Sequence, residues 1–246
     1  MEVLTEERRA AIRSLLDQKD SISVKDLVDE LNSSEATIRR DLKHLEDRGV
    51  LTRVHGGALN KPTYAVEAII GDKLTQNTDA KKRIGQFASQ IVQSGDTIFL
   101  DAGTTTREMI AYLPTDILVV TNSLSLATLL DHRKIETIIL GGRIKHQTDA
   151  IIGACALEQL RQYQFKHVFL GINGIDATFG LTTPDVEEAA IKKTAIQQGV
   201  NVYILADHTK FDQVTFAQID QIDSGTIITD QKNNYAQFGA QMKVVN

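Results

Sequence analysis

The sequence predicts an α/β protein in which a mainly parallel sheet is covered by helices and a small helical unit precedes it. Three observations lead there. From about Ala80 onward, β-branched runs alternate with helical runs, the pattern of parallel strands joined by helical crossovers. Residues 1–60 instead show short stretches of helical periodicity broken by turn residues. Between them, Pro62, Gly71 and several polar side chains mark residues 61–78 as a linker. The expected organisation is a first domain over 1–60, a linker over 61–78 and a second domain over 79–246.

The first helix is expected from about Glu6 to Gln18, with Thr5 as N-cap and Ile12, Leu15 and Leu16 facing inward. The second runs from Val24 to Leu31. Ser23 and Asp26 have capping-box spacing, and Val24, Leu27, Val28 and Leu31 recur at helical intervals. Asn32-Ser33-Ser34 reads as a turn. A third helix follows and stops at Gly49, a residue favoured just past a helix end. VLTRVHGGAL then reads as strand and turn. In the second half, KKRIGQFASQIVQSG is an amphipathic helix closing at Gly95. Strands are expected at TIFLD, DILVVTN, IETIILGG, KHVFLGI, VNVYILAD, TIITD and MKVV. Helices are expected at TTREMIAYL, SLATLL, ALEQLRQY, EEAAIKKTAIQQ and QKNNYAQF.

Composition narrows the function. Of 246 residues, 42% are hydrophobic and 24% charged, enough for a core without covalent staples. The single cysteine, Cys155, leaves no intrachain disulfide and no Cys-based zinc site, and fits a reducing cytosol. No run of 18 apolar residues occurs and the start, MEVLTEERRAA, is polar, so a cytoplasmic protein without a membrane partner is expected. His132, His146 and His167 lack metal-ligand spacing and read as surface residues; no metal or cofactor is expected. A net charge of −5 gives no support to non-specific nucleic-acid binding, so any such function must be local.

The third helix is local in that sense. At about 100° per residue, Ile38, Leu42 and Leu45 share one face, and Ala36, Thr37, Arg39, Arg40, Lys43 and His44 lie opposite. Small and hydroxyl residues at a helix start, with Ser34 before them and arginines after, suit insertion into a DNA major groove. The short side chains allow close approach and an arginine reads guanine bidentately. The preceding helix and tight turn complete a helix-turn-helix. Arg53 and His55 lie near a hairpin tip whose Gly56-Gly57 permit a close turn, a wing able to follow the sugar-phosphate chain. Residues 39–55 carry five basic and three acidic side chains, whereas residues 1–60 carry ten and twelve. Positive charge is placed rather than accumulated, which limits non-specific binding.

The second half offers loops at strand ends. In TIFLDAGTTTREMI, Gly103 lets backbone N–H groups approach a ligand, and Thr104, Thr105 and Thr106 open a helix whose dipole favours an anion, phosphate above all. Thr121-Asn122-Ser123, Leu140 to Arg143 with its Gly141-Gly142 pair, Gly171 to Asp176 with Asn173-Gly174, and Ala206 to Phe211 with Asp207 and Lys210 end further strands. Polar, Gly-rich loops at the carboxyl ends of parallel strands are where open α/β sheets bind ligands.

SEATIRRDLKHLEDRGVLTRVHGGA resembles the winged helix-turn-helix signature of the DeoR family of bacterial sugar-metabolism repressors, and the resemblance extends over nearly the whole chain. DAGTTTREMI, LGGRIKHQTDAIIG, ALEQLRQYQF and GLTTPDVEEAAIKKTAI look most like the fructose operon repressors of low-GC Gram-positive bacteria. The resemblance implies an N-terminal winged helix-turn-helix domain and an α/β sensor domain of ribose-5-phosphate isomerase-like fold. It implies operator double-stranded DNA as partner, a homo-oligomer, and release by a phosphorylated sugar. Fructose 1-phosphate is favoured, ahead of tagatose 6-phosphate and fructose 1,6-bisphosphate; a lactose/tagatose-type repressor is the alternative. Phosphate would sit over Gly103–Thr106, with help from Arg143 or Lys210. Hydroxyls would meet Asp101, Asn122, Asn173, Asp176 and Glu187, with one of Lys192 and Lys193 turned inward. The competing class is a sugar-phosphate isomerase, with Asp176, Glu187, Lys192 or Asp207 for acid–base work. Where those enzymes carry Asp-Gly-Ala-Asp, this chain reads Asn173-Gly174-Ile175-Asp176. An amide there binds a hydroxyl but takes no proton, so binding without turnover is expected.

Overall fold

The computed structural model describes residues 5–19, 21–47, 50–54, 56–60 and 70–245. The expected helix stop at Gly49, the wing residue His55 and linker residues 61–69 lie outside them.

The N-terminal unit runs α1 (Thr5–Lys19), β1 (Ser21–Ser23), α2 (Val24–Leu31), α3 (Glu35–Asp47), β2 (Leu51–Val54) and β3 (Gly57–Asn60). Ser23 caps α2, its hydroxyl accepting the Asp26 N–H at 3.1 Å. Asn32 ends that helix in the left-handed region, and Ser34 caps α3, accepting the Thr37 N–H at 3.2 Å. The periodic apolar positions meet in one core of Ile12, Leu16, Leu27, Ile38, Leu42, Leu45 and Leu51. β2 and β3 form the expected hairpin. β1, missed in the sequence, joins it as an antiparallel third strand in the order β1-β3-β2. Gly57 allows that pairing, since a Cβ there would stand 2.3 Å from the Ile22 carbonyl oxygen.

One polar side chain of α3 faces inward. Asp41 is buried and accepts from Arg8 Nε at 2.6 Å and Arg9 Nε at 3.0 Å, both on α1. This joins the first and third helices beneath the exposed face of α3.

The second unit begins earlier than expected. Residues 70–78, read as linker, contain α4 (Ile70–Thr75), and α5 (Thr78–Ser89) already starts there. β4 (Thr97–Leu100), α6 (Thr104–Met109), β5 (Leu118–Thr121), α7 (Leu124–His132) and β6 (Glu136–Ile139) follow. Next come the hairpin β7 (Arg143–Lys145) and β8 (Ala150–Ile152), α8 (Ala154–Leu160), β9 (Phe165–Gly171), β10 (Gly174–Asp176), β11 (Gly180–Thr183) and α9 (Val186–Gln198). The chain closes with β12 (Gly199–Leu205), β13 (Ala217–Asp220), β14 (Thr226–Thr229) and β15 (Gln241–Val244). The helix expected at QKNNYAQF is only a short 3-10 turn at Tyr235–Phe238. His167, expected at the surface, is buried against Tyr203 and Phe169.

The seven expected strands form one parallel sheet in the order β15-β14-β12-β9-β4-β5-β6. Alternate residues feed two cores, as the two-residue period of a strand requires. Phe99, Val168 and Ile204 face α8 and α9 on one side, while Ile98, Leu100, Phe169 and Leu205 face α5, α6 and α7 on the other. β4, β5 and β6 step outward in one direction, and the chain then returns to lay β9 on the opposite flank of β4. This reversal between β4 and β9 opens a crevice at their carboxyl ends. A small antiparallel sheet, β10-β11-β13, stands beside it.

Asp41→Ala would leave Arg8 and Arg9 facing an empty site between α1 and α3. The expected loss is about 3 kcal/mol in the N-terminal unit, the usual cost of breaking a buried pair. Calorimetry of the full chain should show one transition moved down and the sensor transition unmoved.

Candidate functional site

On the N-terminal unit, Ser34, Ala36, Arg39, Arg40 and Lys43 are exposed along one side of α3, with Thr37 half-buried. Arg39 Nε donates to Glu35 at 2.8 Å, one turn back. Arg53 on β2 is braced by the same helix: its Nε lies 2.6 Å from Glu46 Oε2 and its N–H 3.0 Å from Glu46 Oε1. Arg40 and Lys43 make no ion pair among the described residues. A groove between α3 and the hairpin is lined by Arg39, Glu46, Arg53, Gly56 and Gly57. Of the expected DNA-facing residues, Arg39, Arg53, Gly56 and Gly57 line this groove, and Ser34, Ala36, Arg40 and Lys43 are exposed on or just before α3.

On the sensor, the cleft lies at the β4/β9 reversal. Its walls are Ala102, Gly103, Thr104 and Thr105 after β4, Gly171, Ile172 and Asn173 after β9, Thr148 and Glu188, and four lysines: Lys73, Lys81, Lys192 and Lys210. Ile70, Gln76 and Asn77 complete it. Lys192 is the inward member of its pair; Lys193 is exposed. Beneath the cleft Lys192 donates to Asp101, and both side chains are buried. Asp101 Oδ2 also accepts the Gly171 N–H at 3.1 Å, tying the ends of β4 and β9. Asn173 Oδ1 accepts from Thr183 Oγ1 at 3.0 Å. Asp207 caps the turn carrying Lys210 and is buried; its Oδ2 accepts no hydrogen bond among the described residues but lies 4.0 Å from Lys210 Nζ. Burial pushes the Lys81 ammonium below the usual lysine pKa, with Asp207 pulling the other way. The hydrogen bond to Asp230 holds His208 above its ordinary value.

Four lysines and one carboxylate, Glu188, line the cleft beside the two neutral loops, a charge balance that suits an anion. Lys73 and Lys81 were not anticipated, because residues 61–78 read as linker and KKRIGQFASQIVQSG only as an amphipathic helix. A signal existed: Lys81 stands three and seven residues before Ile84 and Ala88, on the buried stripe of α5.

Several expected residues sit elsewhere. Thr106 is fully buried, its hydroxyl donating to the Asp101 and Gly103 carbonyls at 2.7 and 2.8 Å. Thr121, Asn122 and Ser123 are buried supports: Thr121 Oγ1 donates to Leu100 O, Asn122 Oδ1 accepts the Ala102 N–H, and Ser123 caps α7. Gly141 donates to Gln159, and Gly142 packs on the Ile152 carbonyl. Arg143 and Glu187 form an ion pair at the surface. Gly174 is buried against Gln213 and Thr182, and Asp176 accepts the Thr178 and Phe179 N–H groups in the β10–β11 turn. None of these lines the cleft; of the expected loops, those after β4, β9 and β12 reach it.

Known proteins place the two units together. Residues 8–62 match a DeoR-like helix-turn-helix domain and residues 76–231 the DeoR C terminal sensor domain. The chain is 40% identical to an uncharacterized HTH-type transcriptional regulator FruR of Bacillus subtilis, over 99% of this chain and 98% of the relative. It is 37% identical to the HTH-type transcriptional regulator GlpR of Haloferax volcanii, over 96% of each. A ribose 5-phosphate isomerase A of Methanocaldococcus jannaschii aligns with a TM-score of 0.40 and 16% identity over 55% of each chain, a likeness that carries no argument about function. No described helix is long and apolar enough to cross a membrane. With both domain types matched in order and full-length regulators as relatives, the chain belongs to the DeoR family of DNA-binding transcriptional regulators and is not an enzyme.

Proposed function

We propose that this regulator is a cytoplasmic repressor of a sugar-utilisation operon, released from its operator by a phosphorylated sugar. The observation that carries this is the convergence of Lys73, Lys81 and Lys210 on one cleft beside the Gly103–Thr105 backbone, with Lys192 held by Asp101 beneath it. Those cations suit a phosphate, and Asn173, Thr148 and Glu188 suit the hydroxyls of its sugar. Fructose 1-phosphate is the first choice, because the FruR relative covers almost the whole chain. A lactose phosphotransferase system repressor of Staphylococcus aureus, 30% identical over 90% of each chain, keeps tagatose 6-phosphate in the panel. Domain 1–60 would hold the DNA, and the unit from α4 onward, which supplies the whole cleft lining, the effector. The segment between them, with α4, would pass the change. A dimer or tetramer is required by the reading, since two recognition helices about 34 Å apart read a two-fold site. The effector must bind one arrangement of the reading heads better than another, or it shifts nothing.

Gel retardation on the DNA upstream of the protein's own gene, titrated with fructose 1-phosphate, tagatose 6-phosphate and fructose 1,6-bisphosphate, tests the proposal. Release by one of them at low concentration is expected; retention with all three refutes it.

Arg40→Ala should lower the ratio of operator to random-sequence affinity by about ten- to a hundredfold, the worth of one bidentate base contact. Its effector-induced thermal stabilisation should stay intact. An unchanged ratio in a binding titration would mean that α3 does not read the bases. Thr105→Val should keep operator binding and lose release by the sugar phosphate. In a thermal-shift assay the wild type should gain about 2.7 kcal/mol at a hundredfold excess over Kd, and this variant little of it.

A further inference from the structure

The two sides of the cleft differ in charge. α5 packs on one face of the parallel sheet and α9 on the other, so they approach the cleft at its carboxyl edge from opposite sides. The α5 side is cationic. Lys81 on α5 donates to the Lys73 carbonyl of α4, Asn77 Nδ2 donates to Asp207 Oδ1 at 3.3 Å, and Lys210 Nζ lies 4.0 Å from Asp207 Oδ2. Lys73, Lys81 and Lys210 line the cleft there, while Asp207 is buried beneath them. The α9 side is anionic. Glu188 and Lys192 line the cleft one turn apart, but Asp101 takes up the charge of Lys192. Glu188 Oε1 accepts from Thr148 Oγ1 at 2.5 Å and from Lys145 Nζ at 3.1 Å. Lys145 is shared with Asp185 at 2.9 Å, and Glu187 is paired with Arg143. Asp185, Glu187 and Glu188 thus outnumber the cations that they hold. The start of α9 cannot attract an anion in their place: the Glu187 and Glu188 N–H groups donate to Asp185 Oδ1 at 2.8 and 3.0 Å.

We propose that the cleft admits one phosphate only and that Glu188 excludes a second, so that the effector is a sugar monophosphate whose hydroxyls meet the α9 side. The inference rests on the phosphorylated-sugar reading of the cleft and adds the class of sugar phosphate. On the α5 side an ammonium has three donors, so Lys81 can hold the Lys73 carbonyl and still donate to an anion. On the α9 side the groups that face the cleft accept. The carboxylate of Glu188 has acceptor sites beyond the two bonds it makes. The Thr148 hydroxyl gives its proton to Glu188 and keeps a lone pair for the cleft. Acceptors of this kind take the O–H of a sugar and repel a phosphate, which at neutral pH brings charge and acceptor oxygens of its own. A sugar phosphate held by its phosphate on the α5 side lays its far hydroxyls against Glu188. In a bisphosphate the second phosphate faces that carboxylate instead, and the nearest cation, Lys145, is already held by Glu188 and Asp185.

The test is titration calorimetry of the full-length protein with fructose 1-phosphate, tagatose 6-phosphate and fructose 1,6-bisphosphate. The bisphosphate should bind at least about tenfold more weakly than the better monophosphate, as expected for like charges several ångströms apart in a partly hydrated site. Glu188→Gln keeps the size of the side chain and an acceptor for Thr148, and should reduce that preference by about tenfold. Glu188→Ala removes the same charge and takes over the comparison if the glutamine variant does not fold. A bisphosphate that binds the wild type as tightly as the better monophosphate overturns the proposal and leaves the phosphorylated-sugar reading standing. A preference for monophosphates that survives unchanged in the variant also overturns it, because Glu188 would then not be its source. If none of the three sugar phosphates binds the wild type, the effector reading fails and the proposal falls with it.

Discussion

Asp101 and Lys192 meet as a buried ion pair under the cleft, and the shape of the sensor site depends on that contact. Asp101 ends β4, Lys192 projects from α9, and the same carboxylate takes the Gly171 N–H at the end of β9. Three elements are thus pinned at the point where strand order reverses. A buried pair is costly to desolvate and stabilises only while it is complete, so this geometry is specified sharply. The pair also spends the charge of Lys192 internally, which leaves the positive character of the cleft to Lys73, Lys81 and Lys210.

The same economy separates binding from catalysis. The group from β9 that faces the cleft is an amide, Asn173, fixed by the Thr183 hydroxyl. Asp101 is engaged by an ammonium and a backbone N–H, Glu188 by Lys145 and Thr148, and Asp176 by its own turn. Each of these carboxylates already has donors, which suits a site that grips a polar molecule and leaves its bonds alone.

The main sheet was legible because its inner strands β4, β5 and β9 are buried on both faces, while the exposed edge strands β6 and β15 are still rich in apolar or β-branched residues. TIFL, LVVT, ETII and the runs ending in FLG and YIL are continuous apolar or β-branched stretches that fit no solvated helix. Six short strands among the described residues, β1, β7, β8, β10, β11 and β13, were not. RIK, GID and GLTT have no period and carry turn residues, and pairing with distant neighbours alone makes them strands. The recognition helix was legible from Ile38, Leu42 and Leu45, but its inward Asp41 was not, because its partners lie on another helix. At the cleft, Gly103, Thr104, Thr105, Asn173, Lys192 and Lys210 were visible as strand-end or helix-face residues. The loops after β5 and β6 looked equivalent, and only strand order separates them from the loops after β4 and β9.

Arg39 and Arg53 already lie against Glu35 and Glu46. If these are positions that meet the sugar-phosphate chain, a phosphate oxygen there would displace a carboxylate instead of meeting an open cation. Docking would then be a swap of partners, with little net gain in Coulomb energy and few small ions expelled into solvent. Such an arrangement would weaken the hold on any stretch of duplex and leave discrimination to contacts with the bases.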